Sequence, residues 1–406
     1  MTNTNPLPHS GDISALRSER PLLHVGAGYF AYYGAAAALI PLLVLYYKSL
    51  GFSAGQIGVL VGIPPLVMLI AAPLWGGLAD ATRQHSLILR LAIIGSLLLA
   101  LALSQTREMA WLIPVVIGYA LFTAPIIPLM DNAAVNALGN RQDRYGKLRL
   151  WGAVGWGVAA PITGWLVERD GLGWAFYGYM ALMFFCFLML WRLPAGGDSQ
   201  RAAFWRSLRT LLADRRWPLF LATVVIGGTG MAMIGNFLFL YLADLQAGKT
   251  LMGLSLTIAT LSELPVLFFA GRLLNRWGAG NVLAAALALY GLRAFAYSAA
   301  HTPGSVLLIQ LLHGPSFSAL WAAGVSYAGA SAPEGLGATA QTLFTAATLG
   351  IGGALGGWLG GQLYAVYGPA AMFQWAGLAA LLAALLFSLT RANSATEKQR
   401  GPHART

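Results

Sequence analysis

The chain has 406 residues, is 57% hydrophobic and only 10% charged, and has a mean hydropathy of +0.65. Soluble domains are about 25% charged, so a soluble enzyme, a disordered protein and a nucleic-acid binder are excluded. The 49 glycines and 13 tryptophans suit membrane helices, and the single Cys186 excludes a disulfide framework or a cysteine metal site.

A membrane helix needs about 20 mostly apolar residues. Residues 1–21 are polar and are expected to form a cytoplasmic tail, with no small-residue cleavage site and hence no signal peptide. Twelve candidate spans follow. Six lie at 22–47, 54–79, 86–105, 109–138, 150–168 and 173–192, and six more at 217–243, 251–275, 280–299, 303–330, 336–365 and 369–390. The expected fold is an all-α integral membrane protein of two six-helix, pseudo-symmetric bundles, 22–192 and 217–390. A basic cytoplasmic linker, 193–216, joins them, and 391–406 forms a cytoplasmic tail. With the N-terminus cytoplasmic, the outer loops hold only Lys48, Arg107, Arg169 and Lys249 of the 25 basic residues. The positive-inside rule then places both termini in the cytoplasm, and the net charge of +11 needs no nucleic acid to explain it. The linker arginines (Arg201, Arg206, Arg209, Arg215, Arg216) are expected to rest on anionic headgroups.

The halves repeat at a fixed offset of 195 residues. Leu45-Tyr46 returns as Leu240-Tyr241, Gly58 as Gly253, Gly76 as Gly271 and Asp80 as Asn275, while Gly164 and Gly171 return at Gly361 and Gly368, 197 on. Paired six-helix halves are how one class of transporter places its substrate site between two bundles. After the second span comes Gly77-Leu78-Ala79-Asp80-Ala81-Thr82-Arg83. This stretch resembles the short-loop signature of the major facilitator superfamily, departing from it at Thr82 and Arg83. The resemblance implies that Gly77, Asp80 and Arg83 form a conformational latch, with Asp80 pairing to a base or to a helix N-terminus across its half-bundle.

Five ionisable residues fall within or at the edge of spans: Asp131, Arg149, Glu263, Arg293 and His313. A charge at a helix centre costs roughly 2.5–3.5 kcal/mol on insertion scales, so such residues read as functional. The run from Tyr145 to Trp156, with Asp131 preceding Arg149 by 18 residues, is similar to the fifth-helix start of the lactose permease and its relatives. That resemblance implies that Asp131 and Arg149 bind substrate and Trp156 stacks on it. It also implies that Glu263, Arg293 and His313 serve substrate binding and proton coupling, with Asp131 a further coupling candidate. Gln310 and Ser316 stand where the permease has a lysine and a glutamate. Glu263 with Pro265, the run Gln310–Phe317 and Arg149-Leu150-Trp151-Gly152 look more like the phenylpropionate permease family, although Trp321 replaces a histidine frequent there.

Tyr29, Tyr32 and Tyr33 share one face of the first helix, and Tyr29, Tyr33 and Asn236 are candidate substrate contacts. Asn136 reads as a residue that joins helices. Arg293 is placed either to fork onto a substrate carboxylate or to bond Glu263. The resemblance implies a secondary transporter of the cell inner membrane and not an enzyme. The expected activity is proton-coupled uptake of a small organic solute, with an aromatic carboxylate favoured over an oligosaccharide or nucleoside. An antiporting drug or lipid exporter and a non-transporting sensor are the rivals. No cofactor, metal or nucleotide-binding P-loop is expected. The expected partners are substrate, protons and the bilayer, around a monomer.

Overall fold

Backbone N–H and C=O groups find no water in hydrocarbon, so a crossing segment must bond them internally. The computed structural model describes residues 10–139, 141, 144–191, 204–214 and 216–399, and among these it is helical apart from short turns. In the first half lie α1 (Ser10–Ser49), α2 (Ala54–Thr82), α3 (His85–Gln105), α4 (Met109–Thr123), α5 (Ile126–Leu138), α6 (Tyr145–Asp170) and α7 (Gly173–Leu190). After a short α8 (Phe204–Ala213) come α9 (Arg216–Asp244), α10 (Lys249–Trp277), α11 (Ala279–Ser298), α12 (Pro303–Gln310), α13 (Ala319–Ser331), α14 (Gly337–Thr345) and α15 (Gly352–Gln399).

Eleven stretches are long and apolar enough to cross a bilayer. The last, Gly337–Arg391, runs 55 residues, more than twice the about 20 that one crossing needs. It turns at Gly368 (φ 81°, ψ 174°), just before Pro369, so it supplies two crossings and the twelve-span reading holds. Large apolar side chains such as Leu98, Ile70 and Phe268 are exposed on the outer surface, as a protein solvated by lipid tails requires. Helix α1 begins at Ser10, within the segment read as a tail, and its apolar crossing stretch begins at Leu22. Helix α8 occupies part of the segment read as a linker and packs on α9 and α14. Arg201 and Arg215 lie outside the described residues, as do 1–9 and 400–406.

The repeat is written in the backbone. Eight described residues have positive φ, and all eight fall into pairs 195 to 197 residues apart: Gly51 with Gln246, Arg83 with Gly278, Gly139 with Gly335, and Gly171 with Gly368. The repeated tyrosines do the same work. Tyr46 donates its hydroxyl to the carbonyl of Leu103 at 3.1 Å, and Tyr241 donates to that of Tyr297 at 3.1 Å.

The halves meet at the face remote from the N-terminus. Lys48 pairs with Asp244 at 2.6 Å, and Tyr364 donates to the same carboxylate. Glu168 accepts from the Thr250 amide at 2.9 Å and from its hydroxyl. Below these caps, backbone meets backbone. A Cβ on Gly58 would lie 2.6 Å from the Gly357 carbonyl, and one on Gly253 would lie 2.4 Å from that of Ala160. Helices in lipid associate through such small-residue contacts rather than through hydrophobic drive.

Arg83 and Gly278 turn corresponding corners, but the arginine sits at φ 55°, ψ 25° and the glycine at φ 76°, ψ 144°. The second conformation is nearly glycine-only, and forcing another residue there costs about 1–3 kcal/mol. Gly278→Ala is therefore expected to lower the thermal unfolding midpoint, whereas Arg83→Gly raises it or leaves it unchanged. The buried thiol of Cys186, labelled by a maleimide dye as the protein unfolds, reports both.

Candidate functional site

In the first half, α1, α5 and α6 build one polar cluster. Arg149 lies one turn into α6, and its Nη1 contacts Asp131 Oδ2 on α5 at 3.0 Å. Its Nη2 donates to the Tyr33 hydroxyl at 2.6 Å, and Nη1 also reaches the Tyr145 hydroxyl at 3.3 Å. Tyr29 donates to Asp131 Oδ1 at 2.5 Å. Tyr29 and Tyr33 are one helical turn apart, so both point at the pair, and their rings lie 5.8 and 6.0 Å from the guanidinium carbon. The glycines of α6 permit this: a Cβ on Gly152 would strike the Tyr33 ring at 2.5 Å. The pair is not sealed, since the Arg149 and Asp131 side chains remain 37% and 28% exposed.

In the second half, His313 Nε2 lies 3.1 Å from Glu263 Oε1, and Ser318 donates to Oε2 at 3.0 Å. Pro315 has no N–H to continue the α-helical ladder, and the chain widens into a π-turn over Gly314–Ser318. This places His313 and Ser318 on either side of the Glu263 carboxylate. Gly314 is pressed onto α10: its N–H donates to Ser262 Oγ at 2.8 Å, and a Cβ there would stand 1.9 Å from the Ser262 carbonyl. His313 Nδ1 is buried without a hydrogen-bond partner. From His313, aromatic rings continue at i+4 and i+8, with Phe317 at 5.0 Å and Trp321 stacked a further 6.4 Å on.

Arg293 differs from both placements read from the sequence. It is 2% exposed, so it does not present its fork to a solute, and it does not bond Glu263. Its guanidinium donates to Gln310 Oε1 at 2.7 Å, Tyr297 Oη at 3.0 Å and Ser316 Oγ at 3.4 Å. Among the described residues no carboxylate lies within 4.0 Å of it. Two of the neutral partners, Gln310 and Ser316, are the positions at which the sequence departs from the permease pattern.

The remaining candidates are dispersed. Trp156 is half-buried on α6, beside Gly157, whose carbonyl accepts from Thr257 of α10 at 2.7 Å. Asn236 is half-buried on α9. Asn136 does not join helices: it donates to Asn132, one turn earlier on α5, at 2.7 Å. Asp80 lies 3.0 Å from His85 across the α2–α3 turn, a contact inside one hairpin, with Gly77 before it and Arg83 at the corner. Sequence reading missed Tyr145, Phe317, Trp321 and Ser318. The first three were detectable from helical spacing, Tyr145 four residues before Arg149 and Phe317 and Trp321 four and eight after His313, whereas Ser318 carried no signal before the π-turn was known. Among the described residues, no group of three His, Cys, Asp or Glu side chains is placed to hold a metal ion.

The model of the MFS_1 like family matches residues 22–375. The chain belongs to this family. It is 28% identical to a maltose permease of Geobacillus stearothermophilus over 368 residues, which is 89% of this chain and 92% of that one. It is 25% identical to a probable 3-phenylpropionic acid transporter of Escherichia coli over 311 residues, 74% of this chain and 80% of that one. Its fold matches the crystal structure of the nucleoside transporter NupG with a TM-score of 0.79 at 17% identity, covering 91% of this chain and 99% of that one. The chain is a multi-pass membrane transporter of the major facilitator type.

The Gly314 contact supplies a matched pair of substitutions. Gly314→Ala must push α10 away and so separate Glu263 from His313, while Gly304→Ala meets nothing within 4 Å. Thermal unfolding and transport are expected to collapse in the first variant and to stay near wild type in the second.

Proposed function

We propose that this transporter is a proton-coupled symporter of the cell inner membrane, with both termini cytoplasmic, that takes up a small aromatic monocarboxylate by alternating access. The observation that carries the reading is the charge count between the two faces. Asp131 and Arg149 cancel by contact. Glu263 and Arg293 cancel by number when His313 is counted as neutral, although the partners of Arg293 among the described residues are neutral ones. The empty, deprotonated carrier is thus neutral at mid-depth. A proton alone leaves a net positive charge, and a monoanion alone leaves a net negative one. Proton and monoanion together restore neutrality. A net charge in the closed state is costly, so either load alone blocks the passage and both together permit it.

Glu263 is the proton site in this scheme, held between His313 and Ser318. Arg149 is the half-exposed cation that a carboxylate can approach, and Tyr29, Tyr33 and Tyr145 supply hydroxyls around it. The rings of Phe317 and Trp321, with Trp156 from the other half, offer faces for the solute's aromatic ring. Asn236 is a further contact from α9. The Lys48–Asp244 and Glu168–Thr250 caps hold the remote face shut while solute leaves toward the termini.

A second reading, an oligosaccharide, is favoured by the Asp131–Arg149–tyrosine cluster. It offers a sugar hydroxyl an acceptor and donors side by side, and the maltose permease is similar over most of its length.

Driving force separates the two readings. A proton with a monoanion carries no net charge, so a pH gradient drives uptake, with about tenfold accumulation per pH unit. A potassium-diffusion potential in valinomycin-treated vesicles then adds nothing. A proton with a neutral sugar moves one charge, worth about 2.3 kcal/mol per 100 mV, and uptake follows the potential. Vesicles supplied with aromatic acids and disaccharides under each gradient are expected to show acid uptake driven by pH alone. Sugar uptake that follows the potential would overturn the monoanion reading. In Glu263→Gln, uphill uptake is expected to vanish while exchange of labelled solute persists, and retained accumulation would remove Glu263 from the coupling.

A further inference from the structure

The second half carries a crevice that the transport scheme does not use. It is a space of about 410 Å³ lined by α10 (Pro265, Val266, Phe269, Leu273, Trp277), by the first half of α11 from Val282 to Leu289, and by Pro315 and Ala319. All of these residues belong to one bundle, and none comes from the first half. Its wall on α10 runs from Pro265 to Trp277, twelve helical steps, or about 18 Å at the rise of an α-helix. One leaflet of hydrocarbon is about 15 Å deep, so the crevice runs about the depth of one leaflet.

The polar mouth identifies the occupant. Arg272 and Arg276 sit in the last two turns of α10, both exposed. The Arg272 guanidinium carbon lies 5.4 Å from the ring of Phe269, which itself lines the crevice. Trp277, 56% exposed, closes that end, at the depth where tryptophan anchors to the lipid headgroup region. An apolar channel one leaflet deep, with two cations and an indole at its mouth, has the chemistry of one lipid class.

We propose that this crevice is a binding site for an anionic phospholipid of the cytoplasmic leaflet. One acyl chain lies along α10 between Phe269 and Pro315, and the phosphate is held by Arg272 and Arg276. Basic sites at the cytoplasmic ends of membrane helices recognise anionic headgroups in this way. The inner end of the crevice touches Pro265 and Pro315, each two residues from a member of the Glu263–His313 pair, so the acyl chain packs against the backbone that positions that pair. The site does not depend on which solute is carried.

The test uses the full chain in detergent micelles, titrated with dioleoyl phosphatidylglycerol or with dioleoyl phosphatidylcholine, with thermal unfolding followed through Cys186. Phosphatidylglycerol is expected to raise the unfolding midpoint and phosphatidylcholine to raise it less. Glycerol phosphate, which has the headgroup without the chains, is expected to do nothing. In R272Q/R276Q the apparent affinity for phosphatidylglycerol should fall about thirtyfold, at about 1 kcal/mol for each basic contact, to the level of phosphatidylcholine. Ala285→Phe, at an exposed position that lines the crevice, should weaken both lipids while leaving the lipid-free midpoint in place. Equal stabilisation by the two lipids in the wild type, or an undiminished phosphatidylglycerol preference in R272Q/R276Q, would overturn the headgroup assignment. Full response in Ala285→Phe would place the acyl chain elsewhere, and stabilisation by glycerol phosphate alone would reduce the site to an anion site.

Discussion

A charge left bare in hydrocarbon is costly, and the arrangement of the polar groups between the two faces follows from that constraint. Asp131 is met by Arg149 and Tyr29, and Glu263 by His313 and Ser318. Arg293 carries its charge among neutral oxygens. None of these contacts is a strong stabiliser, because desolvation offsets most of the Coulombic attraction in a buried pair. In the proposed scheme their consequence is selective: they decide which protonation and loading states can be enclosed between the bundles.

Enclosure in turn requires that the bundles come together, and the contact at the remote face is made by backbone. Gly58 against Gly357 and Gly361, and Gly253 against Ala160, leave no space for a side chain. Such a contact is short-range and has little adhesive energy beyond its fit, so it can be broken as a unit when the halves rock. The Lys48–Asp244 pair above it is half-exposed, and exposed pairs contribute little to stability. A weakly held seal is what a reversible gate needs. The same contacts explain why the sequence spends glycine on positions inside helices, where it costs about 1 kcal/mol relative to alanine.

Much of this was legible before any coordinates. Spans follow from hydropathy because the bilayer admits little other than closed hydrogen-bonded helices, and the joined pair of spans at Gly368 shows where length alone miscounts. Whether Asp131 and Arg149 meet was left open by their spacing of 18 residues, and they do meet, on α5 and α6. The partner of Glu263 was not legible. Arg293, Gln310 and His313 lie on neighbouring helices, and which of them turns toward Glu263 depends on helix rotation and on the π-turn at Gly314–Ser318. Pro315 marks a disturbance in the sequence but does not give its sense. The rotation sends Arg293 to Tyr297 and Gln310 instead. Asn136 was misread for a related reason: a polar residue in an apolar span needs a partner, and Asn132 one turn away meets that need without a second helix.

The repeat separates mechanical parts from chemical ones. The left-handed corners, the hydroxyl bonds of Tyr46 and Tyr241, and the glycine Gly58 with its counterpart Gly253 all occur twice. A gate that closes by one bundle leaning on the other needs matched surfaces from each. The ionisable residues occur once. Residue 68, 195 before Glu263, is Met, and residue 344, 195 after Arg149, is Phe. A solute need not be symmetric about the pseudo-axis, and the one proposed here has one end for an arginine and the other for an aromatic face. Where a non-glycine has entered a corner, as at Arg83 and Gln246, its counterpart is still glycine, so the two copies have drifted independently even in their mechanical parts. The turn itself has persisted in both, because the helix that follows must still cross the membrane in register with its neighbours.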